Sequence, residues 1–306
     1  MNHPRTIVGL GELLWDLLPS GPQLGGAPAN FAYCSHLLGN RGFVASRLGS
    51  DDLGREARAL LLRSGITDEF LQIDTDHQTG TVNVQLDSKG QPNFEIAKDS
   101  AWDFLAWTDD WHSLAQSADA VCFGTLAQRS PQSRQTILDF LDATRPAALR
   151  IFDVNLRQNF YSAEIIRDSL NRANVVKLNH EELPRVAELL TIDATNQSAF
   201  CRELLQKFNL QLVCVTRGAN GSILCNRDQV NEHPGFEVQI KDTVGAGDAF
   251  TASLVHQLLR GASLAGMNDL ANRMGAWVAA SSGAMPPSPD AGLEETLSQI
   301  SGRDLG

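Results

Sequence analysis

The sequence predicts an α/β fold of three layers, α/β/α, with a mostly parallel central sheet and a small lid of β-strands. Three observations lead to this prediction: short apolar runs alternate with amphipathic stretches, the apolar runs lack a polar face, and one region has no long helix. Strands that are apolar on both faces are typical of a parallel sheet covered by helices. Their alternation with helices indicates α/β architecture.

The alternation extends over most of the chain. The predicted central strands cover Thr6–Leu10, Ala120–Phe123, Arg150–Phe152, Asn174–Leu178 and Leu212–Val215. The amphipathic stretches predicted as helices cover Ala29–Leu38, Leu53–Ser64, Ser133–Ala143, Ala163–Arg172 and Ser198–Phe208. Because such helices must bury their apolar faces, we expect them to cover one central sheet.

The region from about residue 70 to 98 interrupts this alternation. Short predicted strands at Gln72–Thr75, Gly80–Leu86 and Asn93–Ile96 surround a turn at Asp87–Gly90. In the second of them, apolar residues at every second position predict a sheet with one solvated face. Together with residues 12–18, this region is predicted to form a lid, so residues 1–306 would make up a single domain with a small appendage.

The composition excludes several classes of function. The net charge is −11, from 36 acidic and 25 basic residues, and no basic patch of the kind that binds nucleic acid is visible. The five cysteines are odd in number and form no CxxC pair, which argues against a disulfide framework or a zinc cluster. No apolar run approaches the roughly 20 residues of a membrane span, and no signal peptide precedes the first strand. We therefore expect a cytoplasmic protein that binds neither nucleic acid nor membrane.

Polar and small residues follow several of the predicted strands. In an open α/β sheet, ligands bind at the carboxyl ends of the strands, so these positions are candidates for a binding site. They are Gly11 and Glu12, then Asp153, Asn155 and Arg157, then Asn179 and Glu182, and finally Thr216, Arg217 and Gly218. A purely structural sheet also ends in polar loops, so the strand ends alone leave both interpretations open.

The segment Asp242–Phe250, with the sequence DTVGAGDAF, is the strongest local feature. An apolar helical pattern follows it, so Gly245, Ala246 and Gly247 would lie at a helix N-terminus. Small residues admit a ligand close to the backbone, and the free N–H groups and the helix dipole attract anions. Asp248, in the first turn, could then accept a proton from a substrate hydroxyl during phosphoryl transfer. The alternative is an acidic first-turn residue that only stabilises the helix.

The DTVGAGD segment resembles the C-terminal signature of the PfkB-type, or ribokinase-like, sugar kinases. Other motifs of that family are matched in the same order along the chain. They are GGAPANFA at 25–32 with Gly39 and Gly49, NHEE at 179–182 for Asn-x-x-Glu, and TRGANG at 216–221 for Thr-x-Gly-x-x-Gly. The resemblance covers the whole chain and implies a ribokinase-like fold and an ATP-dependent carbohydrate kinase.

The resemblance implies a role for each matching residue on the phosphate side. Asp248 would be the catalytic base, and the N–H groups of Gly245, Ala246 and Gly247 would hold the transferred phosphoryl group. The residues that would contact ATP are Asn179, Thr216, Gly218, Gly221 and, on the adenine side, Asn272.

The same resemblance implies two cation sites. Glu182 would help to hold Mg²⁺ through water molecules, because Mg²⁺ gives up its water ligands reluctantly. Asp242 would lie near a monovalent cation such as K⁺, together with the loop around Ser281 and Gly283.

On the sugar side, the resemblance implies contacts from Asp16, Gly26 and Asn30. A carboxylate and an amide on one rim can bind neighbouring sugar hydroxyls and discriminate against analogues that lack them. Without the resemblance, Asp16 would be a turn residue and Asn30 an N-terminal helix residue. Arg157, a planar cation at a strand end, suits a phosphate or sugar oxygen, or alternatively an ion pair with Asp153.

Within the family, GELLWD at 11–16, GGAPAN at 25–30 and DVNLR at 153–157 resemble the fructokinases most. We therefore predict transfer of the γ-phosphoryl group of ATP to the 6-hydroxyl of D-fructose. Ribose, 2-keto-3-deoxygluconate and nucleosides are alternative acceptors. A function of another class is a non-catalytic sugar or nucleotide sensor, which the presence of Asp248 disfavours. The open strand edges of the predicted lid also suggest a homodimer.

Overall fold

The computed structural model describes residues 3–18, 21–86 and 92–300. Its strands are β1 Thr6–Leu10, β2 Leu14–Leu18, β3 Gly21–Gly25, β4 Arg41–Gly49, β5 Leu71–Asp74, β6 Gly80–Leu86, β7 Pro92–Ile96, β8 Ala120–Phe123, β9 Leu149–Asp153, β10 Val175–Asn179, β11 Leu212–Thr216, β12 Ser222–Cys225 and β13 Val230–His233. Its helices are α1 Ala27–Leu37, α2 Asp52–Arg63, α3 Asp109–Ser117, α4 Pro131–Ala143, α5 Ala163–Arg172, α6 Glu182–Leu190, α7 Gln197–Lys207, α8 Ala246–Leu258, α9 Leu264–Ala279 and α10 Leu293–Ser298.

Two sheets organise the described part of the chain. The large sheet has the strand order β13-β12-β11-β10-β9-β8-β1-β4-β5, and the small sheet has the order β3-β2-β6-β7. From β11 to β5 every neighbouring pair in the large sheet is parallel, while β12 and β13 add an antiparallel edge. The predicted three-layer fold with a mostly parallel sheet is therefore confirmed.

Alternating side chains of the central strands pack on opposite faces of the large sheet. On β1, Val8 and Leu10 belong to one hydrophobic core, whereas Ile7 belongs to the other. The first core also contains side chains of α3 to α7, and the second contains side chains of α1, α2, α8, α9 and α10. Since both faces are covered by helices, the central strands carry no solvated face, which is why their sequences are apolar throughout.

The helix starts differ in whether a side chain caps them. Side-chain caps begin α2, α5 and α7, where Asp51, Ser162 and Asn196 accept hydrogen bonds from backbone N–H groups. By contrast, α1 starts at Gly26 and α8 starts at Gly245, and neither has a side-chain cap. The N–H groups at the start of α1 and α8 are therefore left to other partners.

The small sheet differs in extent from the predicted lid. Gln72–Thr75 was expected within it, but β5 pairs in parallel with β4 at the edge of the large sheet. The helix α2 joins β4 to β5, which is the usual connection between neighbouring parallel strands. The buried carboxylate of Asp74 also pairs with Arg47 on β4, at 2.8 Å from its Nε. The predicted turn at 87–90 lies outside the described residues.

The predicted strands and helices are present, with ends that shift by one or two residues. The sequence pattern missed β4, whose charged Arg41 and Arg47 interrupt its apolar character. It also missed the strands β3, β12 and β13 and the helices α3, α6, α9 and α10. In the described part of the chain, no helix has both the length and the apolar character needed to cross a membrane. The five cysteines are free and buried, so none of them forms a disulfide.

Candidate active site

The carboxyl edge of the large sheet brings together polar residues from distant parts of the chain. Asn179 and Thr216 end adjacent strands and are register partners. Asp153 ends β9 and faces Lys177 on β10 in the same way. The N-termini of α1 and α8 reach this edge as well, because Asn30 in α1 contacts Asp248 in α8. The predicted strand-end residues therefore share one rim with the GAG segment.

The N-terminus of α8 is shaped to receive an anion. Gly245 has a φ of 77°, and a methyl group on it would lie 2.6 Å from the Cβ of Ala284. Another residue could therefore not replace it without moving the chain. A Cβ added at Gly247 would lie 3.0 Å from the Nζ of Lys177, so a lysine cation lies directly beside the helix start. Both the helix dipole and Lys177 favour negative charge at this point.

Of the predicted anion-binding groups, the Ala246 N–H has a partner within the protein. It donates a long hydrogen bond, of 3.3 Å, to the carbonyl oxygen of Thr243. Such a bond is weak, because N–H···O distances in proteins centre near 2.9 to 3.0 Å. A bound phosphoryl group would compete with it readily.

Asp248 is held by a side chain from the opposite end of the sequence. The Nδ2 of Asn30 donates to the Oδ2 of Asp248 over 2.8 Å, and Asn30 is only 3% exposed. Burial, and after it the charge of Asp153, raises the pKa of Asp248 to about 6, although Asn30, Lys177 and Arg157 act in the opposite direction. A carboxylate with this pKa is ionised at neutral pH and is a stronger base than an ordinary aspartate.

A buried ion pair, between Lys177 and Asp153, lies close enough to Asp248 to affect its pKa. The Nζ of Lys177 lies 3.1 Å from each carboxylate oxygen of Asp153. The hydroxyl of Thr251 lies 3.1 Å from the Oδ2 of Asp153 and adds a second polar contact to it. Burial lowers the pKa of Lys177, but the charges of Asp153, Glu182 and Asp248 outweigh burial, so the net pKa is raised and Lys177 stays charged.

Sequence reasoning assigned no role to Lys177, and it offered Arg157 as the ion-pair partner of Asp153. Asp153 instead pairs with Lys177, while Arg157 is exposed and donates to the carbonyl oxygen of Leu156 at 3.0 Å. The signal for Lys177 was present: a lysine in the middle of an apolar buried strand needs a charged partner.

The predicted sugar-side residues surround the start of α1. Asp16 lies on β2 with its Oδ2 2.5 Å from the position of a Cβ added at Gly25. Gly26 has a φ of 113°, and a Cβ there would lie 2.6 Å from the carbonyl oxygen of Glu12. Burial raises the pKa of Asp16, while the charge of Arg157 lowers it and that of Asp242 raises it. The structure thus groups Asp16, Gly26 and Asn30 around the start of α1, and among them Asn30 contacts Asp248.

Asn30 also has an atom that the protein does not use. Among the described residues, its buried Oδ1 has no hydrogen-bond partner. Because Nδ2 is committed to Asp248, this carbonyl oxygen is oriented and can accept a hydrogen bond from a ligand hydroxyl.

Asn179 and Glu182 form a closed local motif. The Oδ1 of Asn179 accepts from the N–H groups of Glu181 and Glu182 at 2.9 and 2.8 Å. The buried Glu182 carboxylate accepts from the N–H groups of Leu156 and Asn179, each at 2.8 Å. Burial raises the pKa of Glu182, whereas Lys177 lowers it. Both side chains therefore fix the loops after β9 and β10.

These residues fit Mg²⁺ only as partners of a hydrated ion. No group of three or more His, Cys, Asp or Glu side chains able to hold a metal occurs within 3–18, 21–86 and 92–300. Mg²⁺ in kinases typically keeps several waters and binds one or two carboxylates together with substrate phosphates. A single carboxylate such as Glu182, with its remaining lone pairs, is compatible with that arrangement.

The predicted nucleotide loop runs along the end of β11. The N–H of Arg217 donates to the carbonyl oxygen of Gly221 at 2.7 Å, which closes the turn between β11 and β12. The Thr216 carbonyl oxygen accepts from the N–H of His180 at 2.8 Å, so this loop is tied to the Asn179 motif. No atom lies within 4 Å of a Cβ added at Gly218, so its backbone is open to a ligand.

Asn272 occupies a different environment from the one expected for an adenine contact. It is 8% exposed, and its Nδ2 donates toward the hydroxyl of Ser222 at 2.8 Å and the carbonyl oxygen of Asn268 at 2.7 Å. The side chain of Asn272 therefore links α9 to β12 through a hydrogen bond. A contact between Asn272 and adenine stays a prediction.

Asp242 connects two loops that are distant in sequence. Its Oδ1 accepts from the N–H of Val244 at 3.0 Å, and its Oδ2 accepts from the N–H of Gly283 at 3.3 Å. The resemblance grouped these same loops around a monovalent cation. The structure brings the loops together, and the cation itself stays a prediction.

Glu12 is the second residue to which the sequence gave no role, although it lies on the predicted rim. It is 3% exposed, and its Oε2 has no hydrogen-bond partner among the described residues. Burial raises the pKa of Glu12 to about 7; the charge of Asp248 also raises it, while backbone N–H groups and Arg157 lower it. Only the fold shows that Glu12 and Asp248 approach each other.

Known proteins match this chain over nearly its whole length. The family model described as "pfkB family carbohydrate kinase" matches residues 22–291. A fructokinase of Escherichia coli is 33% identical over 310 aligned residues, covering 92% of this chain and 95% of that protein.

Solved structures agree with the fold. A Xylella fastidiosa fructokinase with bound ATP has a TM-score of 0.84 at 24% identity, covering 96% of this chain and 98% of that one. A Vibrio cholerae fructokinase with fructose, ADP and calcium ion has a TM-score of 0.79 at 24% identity, covering 97% and 99%.

Proposed function

The chain belongs to the pfkB family of carbohydrate kinases, and from this premise we propose that it transfers the γ-phosphoryl group of ATP to the 6-hydroxyl of D-fructose. The observation that carries the proposal is the contact between Asn30 and Asp248 beside the start of α8. It joins a residue of the sugar rim to a base with a raised pKa, at a helix end that favours phosphate.

The site would place a negative and a positive group around the reacting sugar oxygen: the carboxylate of Asp248, and the N-terminus of α8 together with Lys177. As the sugar oxygen forms a bond to the γ-phosphorus, the bond from that phosphorus to the bridging oxygen breaks and ADP leaves, while the hydroxyl proton passes to the carboxylate of Asp248. The N-terminus of α8 and the Lys177 cation stabilise the negative charge on the transferred group. Bound Mg²⁺ would neutralise charge on the ATP phosphates, and Glu182 would hold its water ligands.

The choice of D-fructose rests on the sugar rim and on the relatives. Asp16 offers a carboxylate and Asn30 offers an oriented carbonyl oxygen, which suit adjacent sugar hydroxyls. The Escherichia coli relative carries the name fructokinase, and the Vibrio cholerae structure contains fructose and ADP. Ribose, 2-keto-3-deoxygluconate and nucleosides are less favoured acceptors, and a catalytically silent sensor would not need Asp248.

On the nucleotide side, we propose that ATP lies along the loops after β10 and β11. Asn179, Thr216, Gly218 and Gly221 line this path. We propose Asp242 and the loop at Gly283 for a monovalent cation such as K⁺, supported by the hydrogen bonds that join the two loops.

A panel of sugars tests the acceptor. With ATP and Mg²⁺, D-fructose should give the highest kcat/KM among fructose, ribose, 2-keto-3-deoxygluconate and inosine. The product should react in a coupled assay specific for fructose 6-phosphate. A higher kcat/KM for another acceptor would show that this acceptor, and not D-fructose, is preferred. If no acceptor gave a phosphorylated product, the proposed kinase activity would be wrong.

We also propose a homodimer formed through the small sheet, in which β3 and β7 are the edge strands of the described part. Sedimentation at micromolar concentration should show two copies, and a monomer would contradict this. The five free, buried cysteines support a reducing compartment such as the cytoplasm.

A further inference from the structure

A small cavity lies between carboxyl groups at the centre of the site. Glu12, Asp153 and Asp248 line it, together with Asn155 and Thr251. Its volume is about 10 Å³, which is about the space that one ordered water molecule occupies. Most of the lining is apolar, so such a water would bond to the carboxyl groups and to the few other polar side chains at the edge of the cavity.

Glu12 is an unusual residue for the interior. It comes directly after β1 and Gly11, and the backbone N–H of Ala27, at the start of α1, reaches its carboxyl group. Its Oε2 nevertheless lacks a partner among the described residues. A buried polar atom left in this way destabilises the fold, so its presence calls for a functional reason. The cavity suggests such a reason, because Glu12 lines it together with Asp248.

The charged groups around the cavity determine how its carboxyls titrate. Arg157, from the loop after β9, lowers the pKa of Glu12, and Asp248 raises it. On the far side, Asp153 raises the pKa of Asp248, while Lys177 and Arg157 lower it. Two thiols also feel these charges, Cys122 on β8 and Cys34 on α1, and burial keeps the pKa of each above its usual value, so both stay neutral.

The outcome is a pair of carboxyls that titrate close together. Burial is the largest cause that raises the pKa of each, to about 7 for Glu12 and about 6 for Asp248, and the charge of Asp248 also raises that of Glu12. A proton that arrives on Asp248 can therefore be shared with Glu12. Because the two groups interact, these two values describe the pair rather than either residue alone.

We propose that Glu12 is a positioning residue that receives, through one water in this cavity, the proton that Asp248 takes from the sugar hydroxyl. The hydroxyl O–H bond breaks as the new O–P bond forms, the bond between the γ-phosphorus and the bridging oxygen of ADP breaks so that ADP leaves, and the hydroxyl proton moves to Asp248. Asp248 then gives a proton to the water while the water gives one to the Oε2 of Glu12, so the water is unchanged and Asp248 is ionised again. The proton leaves to solvent as the products depart. This inference rests on the proposed kinase function.

The Glu12→Gln variant tests the relay, since glutamine keeps the size of the side chain but cannot accept the proton. In the unchanged protein, kcat/KM for fructose should rise with pH through two ionisations, near 6 and 7. In Glu12→Gln one of the two ionisations should disappear, and kcat should fall about 10- to 100-fold, at or below the usual contribution of a general base. The KM values for fructose and ATP should change less than about twofold, as expected for a residue that acts through Asp248 rather than on a substrate.

Two further variants separate this role from a structural one. Glu12→Asp keeps a titrating carboxyl and should retain the second ionisation. The exposed Glu56 on α2 provides a matched control, and Glu56→Gln should leave both the rate and the pH profile unchanged. If Glu12→Gln keeps both ionisations, or keeps its full kcat, the relay is wrong even though the kinase is right.

A measurement on the unchanged protein covers the case in which Glu12→Gln does not fold. In mixtures of H₂O and D₂O, a relay that moves two protons in one step after phosphoryl transfer should give a curved dependence of kcat on deuterium fraction, because kcat includes the steps after the transfer. A linear dependence would overturn the relay. The absence of fructose phosphorylation in the unchanged protein would instead contradict the proposed function.

Discussion

Two halves of the site differ in how their polar groups are satisfied. The phosphoryl half consists of Glu12, Asn30, Asp153, Lys177 and Asp248, and the nucleotide half consists of Asn179, Glu182, Thr216, Gly218 and Gly221. In the phosphoryl half, Glu12 and Asn30 each keep a buried oxygen without a partner among the described residues. In the nucleotide half, Asn179 and Glu182 direct their oxygens to backbone N–H groups at 2.8 to 2.9 Å.

The difference indicates where chemistry takes place. Side chains saturated by neighbouring backbone groups hold loops in shape and thereby prepare a binding surface. Buried oxygens that have no partner within the protein are instead typical of groups that exchange protons or contact substrate. Changes in the phosphoryl half should therefore affect turnover and its pH dependence, whereas changes in the nucleotide half should affect stability and ATP binding.

The largest effect is expected from Asp248→Asn in the phosphoryl half. Asparagine keeps the shape but cannot accept a proton, so kcat should fall about 10³-fold, which corresponds to about 4 kcal/mol. ATP binding, measured by calorimetry, should stay within about twofold. Asp109→Asn, another first-turn aspartate but exposed on α3, is the matched control. Near-normal turnover in Asp248→Asn would contradict the assignment of the base.

The next largest effect is expected from Lys177→Met, which leaves Asp153 buried without its cation. Removal of one partner from a buried pair typically lowers the free energy of unfolding by about 3–5 kcal/mol. Since Lys177 lowers the pKa of Asp248, its loss should also move the acid limb of the kcat/KM profile from near pH 6 to higher pH. Denaturant unfolding and a pH series measure the two effects.

The double variant Asp153→Leu, Lys177→Met sharpens this test. Without either charge, no unpaired ion remains, so the double variant should be more stable than Lys177→Met alone. If Lys177→Met unfolds at the same denaturant concentration as the unchanged protein, the pair does not support the site.

The smallest effect is expected from Glu182→Gln in the nucleotide half. Glutamine has one carbonyl oxygen and an NH₂ group, so one of the two backbone N–H groups would lose its acceptor. The free energy of unfolding should fall by about 1–3 kcal/mol. The KM for ATP should rise while the acid limb near pH 6 stays in place.

The neighbouring Glu181 is exposed and allows a matched comparison. Glu181→Gln should change neither stability nor the KM for ATP. A shift of the acid limb in Glu182→Gln would show that the two halves are electrostatically coupled, and the distinction between them would then fail.

Much of the fold and about half of the candidate site could be predicted from the sequence. Apolar runs predicted the central strands because both faces of that sheet are buried. The turn and helix-start motifs at 179–182, 216–221 and 242–250 were recognisable because each is built from neighbouring residues. The pairing of β5 with the large sheet was not predictable, since a four-residue strand fits either sheet until its partner β4 is known.

The sequence by itself determined the class of fold, the position of the anion-binding helix start and Asp248 as the candidate base. These properties are local, because they depend on residue type and on spacing within a few positions. Only the tertiary structure decided which groups surround that base. Asn30 lies 218 positions from Asp248, and Glu12 and Lys177 reach it only through the order of the strands. Burial and neighbouring charge determine the pKa values of such groups, and both arise only when distant segments pack together.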